Sequence, residues 1–326
     1  MPARSGAYVH GHHESVLRSH RWRTVENSAA YLLPHLSPGD TVLDVGCGPG
    51  TITCDLARAV SPGPVVGVDA AEAVVAEARE RAEGIPGVTF EVADLFALPY
   101  VDDSFDVVHA HQVLQHVADP VRALVELRRV CRPGGLVAAR DADYPAFTFA
   151  PAEPDLTRAI ATYGELTRVN RAHWDAGRHL LGWAHAAGFT DVAASASVWC
   201  FTTDEERDWW GGLWADRFTD SPMADQLRTH GIADADDLAA FADGWRRWAD
   251  SPDGWFIVDR DESLVVACGD SGKGFKYSPV MGEILADFTE GGAVDADVAA
   301  MSRRRFEGRD LDPHALPTSL GGPQPA

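Results

Sequence analysis

The sequence predicts an α/β fold in which a mostly parallel sheet is covered by helices on both faces. Between residues 41 and 139, short apolar runs that end in polar or glycine-rich turns alternate with helical segments. Parallel strands need long crossover connections, and the intervening helices supply them. Apolar strands of this kind are typical of a sheet that is buried on both sides.

Seven strands and several helices follow from this pattern. The first five strands are expected at 41–45, 64–68, 88–92, 105–110 and 136–139, with helices at 51–60, 71–82 and 120–130 and a turn at 132–135. The sixth is expected at 192–201, between the helical regions 155–187 and 203–250. Either 255–258 or 264–268 would be the last strand of a mixed sheet.

The charge of the chain bears on its partners. There are 28 lysine and arginine residues against 49 aspartate and glutamate residues, so the formal net charge is −21. Non-specific affinity for nucleic acids comes from cationic side chains that neutralise phosphates. We therefore expect no nucleic-acid partner, unless a local basic patch overrides the total, and we attribute most of the charge to solubility.

Several features indicate a cytoplasmic protein. No apolar stretch reaches the length of about 18 residues that a membrane-spanning helix requires, and the N-terminal residues lack the apolar run of a secretory signal. The cysteines have no metal-ligand spacing, which favours free thiols in a reducing compartment; they are Cys47, Cys54, Cys131, Cys200 and Cys268.

A histidine cluster near the N-terminus is not expected to bind a metal. His10, His12 and His13 have no carboxylate or thiol spaced to complete a site. They are better explained as exposed residues of an N-terminal helix.

The strongest motif is the run from Val42 to Gly50, VLDVGCGPG, in which a buried strand enters a turn with glycine at alternate positions. Glycine lets the backbone turn sharply and lets a ligand approach without a Cβ in the way. The next helix presents free N–H groups to a polar ligand. A dinucleotide-binding turn would read G-x-G-x-x-G, but here glycines stand at Gly46, Gly48 and Gly50, with Thr51 at the position of the third glycine.

This arrangement resembles the D-x-G-x-G-x-G motif of the class I, Rossmann-like methyltransferases that use S-adenosylmethionine. The resemblance continues in order through VVGVDA, EVADLFALP, SFDVVHAHQVLQHVADP and a helix followed by RPGG. It covers roughly residues 8–258 and is greatest with small-molecule enzymes of the ubiquinone/menaquinone type. It implies S-adenosylmethionine as cofactor and methyl transfer to a small-molecule acceptor by direct in-line displacement.

The resemblance implies a role for each of five residues toward the cofactor. Asp69 would accept hydrogen bonds from both ribose hydroxyls, a geometry that suits a carboxylate. Asp94 would lie against the adenine amino group, with Leu95 in apolar contact beside the ring. His111 and Gln112 would lie near the methionine part.

Two further residues of the glycine turn have alternative explanations. Asp44 is expected to orient the glycine loop and the cofactor, although it could instead cap the next helix or hold the turn. Cys47 is better explained as a small filler than as a nucleophile.

Methyl transfer requires little of a catalytic residue, because the sulfonium already activates the methyl group. Proximity and orientation alone can supply about 7–11 kcal/mol in favourable cases. If the acceptor is a hydroxyl or an ammonium group, a base is needed. The candidates near the carboxyl ends of the strands, where open parallel sheets bind ligands, are His111, His116 and Asp141. A structural role for His116 is equally consistent with the sequence, and Asp141 and Asp143 could instead anchor a loop.

The chain is expected to comprise four segments. Residues 1–36 form an N-terminal helical lid, and residues 37–150 form the S-adenosylmethionine-binding core. Residues 151–258 form a helical lid or substrate region with the last strands of the sheet, and residues 259–326 form a C-terminal fragment and tail. The tryptophan-rich region 199–255 is interpreted as packed lid rather than as an aromatic substrate cage.

The C-terminal fragment resembles a different family. Residues 263–311 are similar to the flavin-contacting segment of sarcosine and N-methyl amino acid oxidases, and both lysines of the chain, Lys273 and Lys276, lie there. The matching residues are Gly269, Ser271, Gly272, Gly274, Phe275 and Lys276. Those oxidases hold FAD with an N-terminal G-x-G-x-x-G turn, which we do not find, so no flavin is expected. A helix is expected at 279–287, before a disordered tail.

Two alternatives to an active methyltransferase remain at this point. A nicotinamide-dependent oxidoreductase would also use Asp69 for its ribose, although the glycine spacing and Asp94 favour methyl transfer. A fusion product that binds the cofactor without turnover is the second alternative.

Overall fold

A computed structural model of the protein describes residues 14–268, with side chains for residues 14–258. The predicted helix at 279–287, the oxidase-like residues from 269 onward and the histidines of residues 10–13 lie outside the described residues. The strands are β1 Val42–Val45, β2 Val65–Asp69, β3 Val88–Val92, β4 Phe105–His111, β5 Cys131–Arg140, β6 Thr148–Ala150, β7 Asp191–Phe201 and β8 Trp255–Cys268.

Ten α-helices accompany these strands in the described part of the chain. They are α1 Glu14–Arg21, α2 Val25–Ser28, α3 Thr51–Val60, α4 Glu72–Arg81, α5 Pro120–Val130, α6 Pro154–Val169, α7 Leu180–Ala186, α8 Asp204–Thr219, α9 Pro222–Thr229 and α10 Ala235–Ala249. No helix among the described residues is long and apolar enough to cross a membrane.

The strands form one mixed sheet in which β3, β2, β1, β4 and β5 are parallel neighbours in that order. Strand β8 runs antiparallel between β5 and β7. The fold is therefore the predicted α/β, Rossmann-like type. Because β1 and β4 are adjacent and parallel, their carboxyl ends meet at the same edge of the sheet.

The number of strands differs from the seven expected. Within residues 14–268 the sheet has eight strands, because the three residues of β6 pair with the first residues of β8. A run of three residues is too short to show an alternating pattern. The sequence left open whether 255–258 or 264–268 forms the last strand. Both runs belong to the single long strand β8.

The predicted turn at 132–135 falls within the bounds of β5 and interrupts its pairing. Cys131 lies opposite Phe105 and Leu136 lies opposite Val107, so four residues bulge out against Asp106 alone. Gly134 has a φ of +76° there, a conformation that glycine adopts without a Cβ penalty.

Alternate residues of β1 face opposite sides of the sheet, as the pleat of a strand requires. Leu43 and Val45 belong to the apolar layer that contains Leu124 and Leu127 of α5. Val42 belongs to the layer that contains Leu56 of α3. Both faces of the strand are thus buried, which explains why its residues other than Asp44 are apolar.

The tryptophan-rich region forms an apolar cluster of its own from α6, α8, α10 and the start of β8. Trp210, Trp214, Trp245 and Trp248 are each at most 3% exposed. Trp214 and Trp245 stack with their ring centroids 5.4 Å apart. These side chains are packed together, as the packing interpretation predicts.

Candidate active site

A cavity of about 410 Å³ opens at the carboxyl ends of β1, β2 and β4. This main cavity is bordered by the glycine turn after β1, the end of β2, the loop after β4 and the chain that follows α1. Open parallel sheets bind ligands at this edge. Most of the residues predicted for the site therefore lie around one space.

The glycine turn requires glycine for two separate reasons. Gly46 has a φ of +69°, and a Cβ there would lie 2.3 Å from Cγ2 of Val113. Gly50 has a φ of +78°, and its Cβ would lie 2.8 Å from Cζ of Phe90. Gly46 and Gly48 border the main cavity, whereas Gly50 is buried under the turn and packs against the core. The role of Gly50 is thus to let α3 approach the sheet.

Asp44 lies beneath the turn and is 2% exposed. Its carboxylate accepts a hydrogen bond from the Thr53 hydroxyl at 2.5 Å and lies 2.7 Å from Nδ1 of His109. Asp44 and His109 are register partners on β1 and β4. The carboxylate ties the start of α3 to the sheet below the turn while its residue still borders the main cavity.

Asp69 ends β2 with its side chain at the mouth of the turn. One carboxylate oxygen accepts from the Gly48 N–H at 3.2 Å, and the other accepts from the Ala71 N–H at 3.0 Å. Each oxygen retains a second lone pair for another donor. The carboxylate is therefore oriented by backbone donors at the border of the main cavity, and each oxygen can accept a further hydrogen bond.

Asp94 and Leu95 separate in the structure. Leu95 borders the main cavity. Asp94 is exposed and does not border it, and its side chain accepts from the N–H of Phe96 at 2.9 Å. That contact is a local turn between residues two apart. Asp94 therefore acts on its own loop in this structure.

The loop after β4 brings His111 and Gln112 to the cavity wall. His111 is 5% exposed. Gln112 has a φ of +55°, which is unusual for a residue with a side chain. Its N–H donates to the carbonyl of Arg140 at 2.6 Å, and its Oε1 accepts from Nη2 of Arg23 at 2.5 Å. Strain of this kind is found at functional sites that hold a side chain in place.

His116 also borders the main cavity. Burial, together with the charge of Arg23, lowers the pKa of His116 to about 3. The Gln115 side chain accepts from the Ala142 N–H through Oε1, so its amide nitrogen faces His116, 2.9 Å from Nε2. The Gln115 amide can therefore donate to Nε2 of the neutral ring.

Asp141 lies apart from the other candidate bases. It is fully buried, it does not border the main cavity, and it accepts from the N–H of Gln115 at 3.0 Å. Asp143 forms a two-point ion pair with Arg178, at 2.6 and 2.8 Å. Both carboxylates hold the loops around the site, which is the alternative that the sequence had left open.

Cys47 is 8% exposed beside the cavity. Burial raises the pKa of its thiol far above the ordinary value, and the carboxylates of Asp44 and Asp69 add to the effect. Since the thiolate is the nucleophile, this supports the role of a small filler. Within the described residues, no three His, Cys, Asp or Glu side chains converge as metal ligands.

Two residues of the site were not identified from the sequence. His20 at the end of α1 and Arg23 just after it both border the main cavity. The His20 carbonyl accepts from the Thr51 hydroxyl at 3.3 Å. The sequence did show basic residues in a helix that was expected to cover the site. Which of these side chains reach the cavity depends on how the helix packs against the rest of the protein.

Helix α1 contacts both halves of the protein. Arg18 pairs with Asp216 of α8 at 2.9 Å, and Arg217 of the same helix donates to Ser19 at 3.0 Å. On its other side, Arg21 pairs with Glu77 of α4. The helix therefore bridges the helical region and the sheet above the cavity.

Together, the sheet order, the glycine turn and the acid at the end of β2 define a Rossmann-like methyltransferase domain. A family model described as a methyltransferase domain matches residues 36–187. An uncharacterised methyltransferase of Schizosaccharomyces pombe is 34% identical over 261 residues, which are 77% of this chain and 93% of that protein. A demethylmenaquinone methyltransferase of Symbiobacterium thermophilum is 35% identical over 119 residues, 35% of this chain and 47% of that protein.

Among solved structures, the YcgJ protein of Bacillus subtilis aligns with 76% of this chain and 100% of its own, at 21% identity and a TM-score of 0.48. The chain belongs to the methyltransferase family, and it is an S-adenosylmethionine-dependent methyltransferase. The residues present fit that cofactor, because Gly46 and Gly48 leave the wall without side chains and Asp69 offers both carboxylate oxygens to a diol.

Proposed function

We propose that the protein transfers the methyl group of S-adenosylmethionine to a small-molecule acceptor by direct in-line displacement. The observation that carries this proposal is the continuity of the main cavity, which runs from Asp69 and the glycine turn to His111 and His116. One cavity with a diol-binding acid at one end and ring nitrogens at the other suits a cofactor and an acceptor that meet inside it.

In this proposal Asp69 binds the ribose hydroxyls, and the N–H groups of Gly48 and Ala71 hold its carboxylate in position. Leu95 provides apolar contact for the adenine ring. Asp94 can reach the adenine amino group only if it gives up its contact with the Phe96 N–H, so we assign it the smaller contribution. Asp44 acts from below, by fixing the turn through Thr53.

The bound cofactor supplies a methyl group on a positive sulfonium centre. The chain's own residues hold the acceptor in line and exclude water, which is sufficient for an acceptor that is already nucleophilic. Gln112, held by Arg23 and by the Arg140 carbonyl, defines the wall on which the methionine part rests.

Where the acceptor must lose a proton, we propose His111 as the base. It borders the main cavity, whereas Asp141 does not. His116 borders the cavity too, but a pKa near 3 and the contact between Gln115 and Nε2 make it a poor proton acceptor. We assign His116 and Asp141 the role of positioning the loop after β4.

We further propose that α1 and the helical region 151–258 act as a lid over the core of residues 37–150. The contacts of α1 with α4 and with α8 support this division. Movement of α1 would open a path to the main cavity, and its return would exclude water during transfer.

Calorimetry with S-adenosylhomocysteine and with NAD, followed by transfer of labelled methyl groups to a panel of small molecules, tests the proposal. We expect binding of S-adenosylhomocysteine, no binding of NAD and label in at least one small molecule. The family membership does not favour a nicotinamide enzyme or an inactive fusion. Binding without transfer to any small molecule, together with transfer to a macromolecule, would contradict the proposed acceptor class.

A further inference from the structure

The middle of the glycine turn, Gly48 and Pro49, borders the main cavity. A Cβ added at Gly48 would meet only the His20 ring among the described residues, at 3.7 Å from Nδ1. The same addition at Gly46 or Gly50 would meet a side chain within 3 Å. Packing therefore fixes the two ends of the turn more tightly than its middle, which depends on hydrogen bonds for its position.

Two charged side chains form hydrogen bonds to the middle of the turn. Asp69 accepts from the Gly48 N–H at 3.2 Å. Arg81, the last residue of α4, donates from Nε to the Pro49 carbonyl at 2.8 Å. Proline has no N–H, so its carbonyl is its one backbone hydrogen-bonding group. Arg81 does not itself border the main cavity, so it can influence a ligand there only through the turn.

The carboxylate that binds α1 also contacts Arg81. Glu77 lies one helical turn earlier on α4, and its Oε1 is 3.5 Å from Nη2 of Arg81 and 2.7 Å from Nε of Arg21. The hydrogen bond from Arg21 is the main cause of the lowered pKa of Glu77, and Arg81 lowers it further. A continuous series of contacts thus leads from Arg21 of α1 through Glu77 and Arg81 to the carbonyl of Pro49.

Helix α1 also contacts the end of the turn directly. The Thr51 hydroxyl, at the start of α3, donates to the carbonyl of His20 at 3.3 Å. His20 precedes Arg21 in the chain, so neighbouring residues at the end of α1 contact both α3 and α4. The position of α1 and the position of the glycine turn are therefore not independent.

The neighbouring arginine of α4 shows what is particular to Arg81. Arg79 also donates from Nε to a backbone carbonyl, that of Phe90 at 3.0 Å, and pairs with Glu72 at 2.9 Å. Neither Phe90 nor Glu72 borders the main cavity. The contacts of Arg79 fasten α4 to β3, whereas those of Arg81 connect the cavity wall to α1.

We propose that Arg81 is a positioning residue for cofactor binding, which holds the Pro49 carbonyl, and that Glu77 links this contact to the docking of α1. The proposal rests on the proposed function, since it assumes that the main cavity holds the cofactor and that α1 covers it. Cofactor binding fixes the turn and thereby favours the docked position of α1. Docking of α1 in return favours the turn geometry that binds the cofactor, because a coupling between two sites is reciprocal.

Calorimetry with S-adenosylhomocysteine on the full chain tests the role of Arg81. Arg81→Gln should bind about three- to tenfold more weakly than wild type, the range for one partly exposed hydrogen bond. Arg81→Lys should lie in between, because it keeps a charged donor without the planar guanidinium. Arg79→Gln is the matched control and should bind as wild type does.

Thermal melting without ligand separates positioning from a purely structural role. Arg81→Gln and Arg79→Gln each lose a hydrogen bond to a backbone carbonyl, so their melting temperatures should be similar. Only Arg81→Gln should lose affinity. Wild-type affinity in Arg81→Gln, or an equal loss in Arg79→Gln, would overturn the proposal. If Arg81→Gln does not fold, Arg81→Lys takes its place and should show the smaller loss.

Hydrogen exchange in residues 14–21 tests the link to α1. Saturating S-adenosylhomocysteine should slow exchange there in wild type and slow it less in Arg81→Gln. The double variant Arg21→Gln/Arg81→Gln should lose less affinity than the product of the two single losses, because both arginines act through Glu77. Exchange that the ligand leaves unchanged in wild type, or losses that simply multiply, would overturn the link.

Failure of the proposed function has a different signature. In that case S-adenosylhomocysteine would not bind to the wild-type protein at all. Failure of the positioning role alone leaves that binding intact and makes Arg81→Gln indistinguishable from Arg79→Gln.

Discussion

Arg21 of α1 and Glu77 of α4 form a two-point ion pair, with Nε 2.7 Å from Oε1 and Nη2 3.0 Å from Oε2. The hydrogen bond from Arg21 is the main cause of a lowered pKa at Glu77. Because a carboxyl with a depressed pKa stabilises the folded state above its unfolded pKa, this contribution is lost as the pH falls through the folded value. The pair fastens the N-terminal helix to the sheet half of the protein.

The change Glu77→Gln should loosen α1 more than it destabilises the fold. Arg21 is about one third exposed, so the pair is worth only about 0.2–1 kcal/mol. Hydrogen exchange should rise in residues 14–21, and the affinity for S-adenosylhomocysteine should fall modestly. Glu72→Gln is the control, since its pair with Arg79 is exposed and lies away from α1. Equal exchange in both variants would show that the pair does not hold the helix.

Replacing Asp69 by alanine should weaken binding of S-adenosylhomocysteine about ten- to a hundredfold, because hydrogen bonds to a charged acceptor are worth roughly 1.5–3 kcal/mol. The protein should remain folded, since Asp69 is only partly buried. Asp94→Ala should have a much smaller effect, because that side chain is exposed and outside the cavity wall. Calorimetry on both variants decides, and the reverse order of effects would restore Asp94 as the main contact.

The change Gly46→Ala should destabilise the protein and abolish cofactor binding. A Cβ at Gly46 combines a left-handed φ with a contact 2.3 Å from Val113. Gly84→Ala is the matched control, because Gly84 has a φ of +81° and no neighbour within 4 Å. The control should lose only about 1–2 kcal/mol, and thermal melting should place Gly46→Ala well below it. Similar melting temperatures would show that Val113 moves aside.

His116 should make the folded state sensitive to acid. Its pKa is lowered to about 3, below the unfolded value near 6.5. Between these values the unfolded chain binds the proton and the folded one does not, so stability rises with pH across this window and is lost on acidification. Melting temperatures of His116→Gln should therefore depend less on pH between about 6.5 and 3 than those of wild type.

The control variant is His230→Gln, which removes an exposed histidine. If the melting temperature of His116→Gln depends on pH in the same way as that of wild type across this window, His116 is not held neutral in the folded protein.

Shortening the chain should distinguish β8 from the residues after it. Ending the chain after Gly269 retains β8 and should leave cofactor binding nearly intact. Ending it after Gly254 removes the strand between β5 and β7 and leaves backbone groups of both without partners. Each such group costs roughly 1–3 kcal/mol, against a total stability of about 5–15 kcal/mol.

Thermal melting of the two shortened proteins, with and without S-adenosylhomocysteine, makes the comparison. If the protein ending after Gly254 melts like the full chain, β8 contributes nothing to the core. If the protein ending after Gly269 also fails to fold, residues beyond 269 are needed for stability.

The features that the sequence alone determined are those that depend on neighbouring residues. An apolar strand followed by Gly46 and Gly48 predicts the turn and the cavity beside it, because backbone conformation is set locally. Asp69 follows the same logic, since the end of a parallel strand lies at the binding edge of the sheet.

Tertiary structure decided which side chains reach that edge. Asp94 and Asp141 lie near the ends of strands, yet the N–H groups of Phe96 and Gln115 turn their carboxylates away from the main cavity. Strand register, which the sequence does not specify, placed His109 beside Asp44. Ser19 and Arg217 are far apart in the chain and meet only because α1 packs on α8. Docking of helices depends on the sum of many weak contacts, so no local pattern reports it.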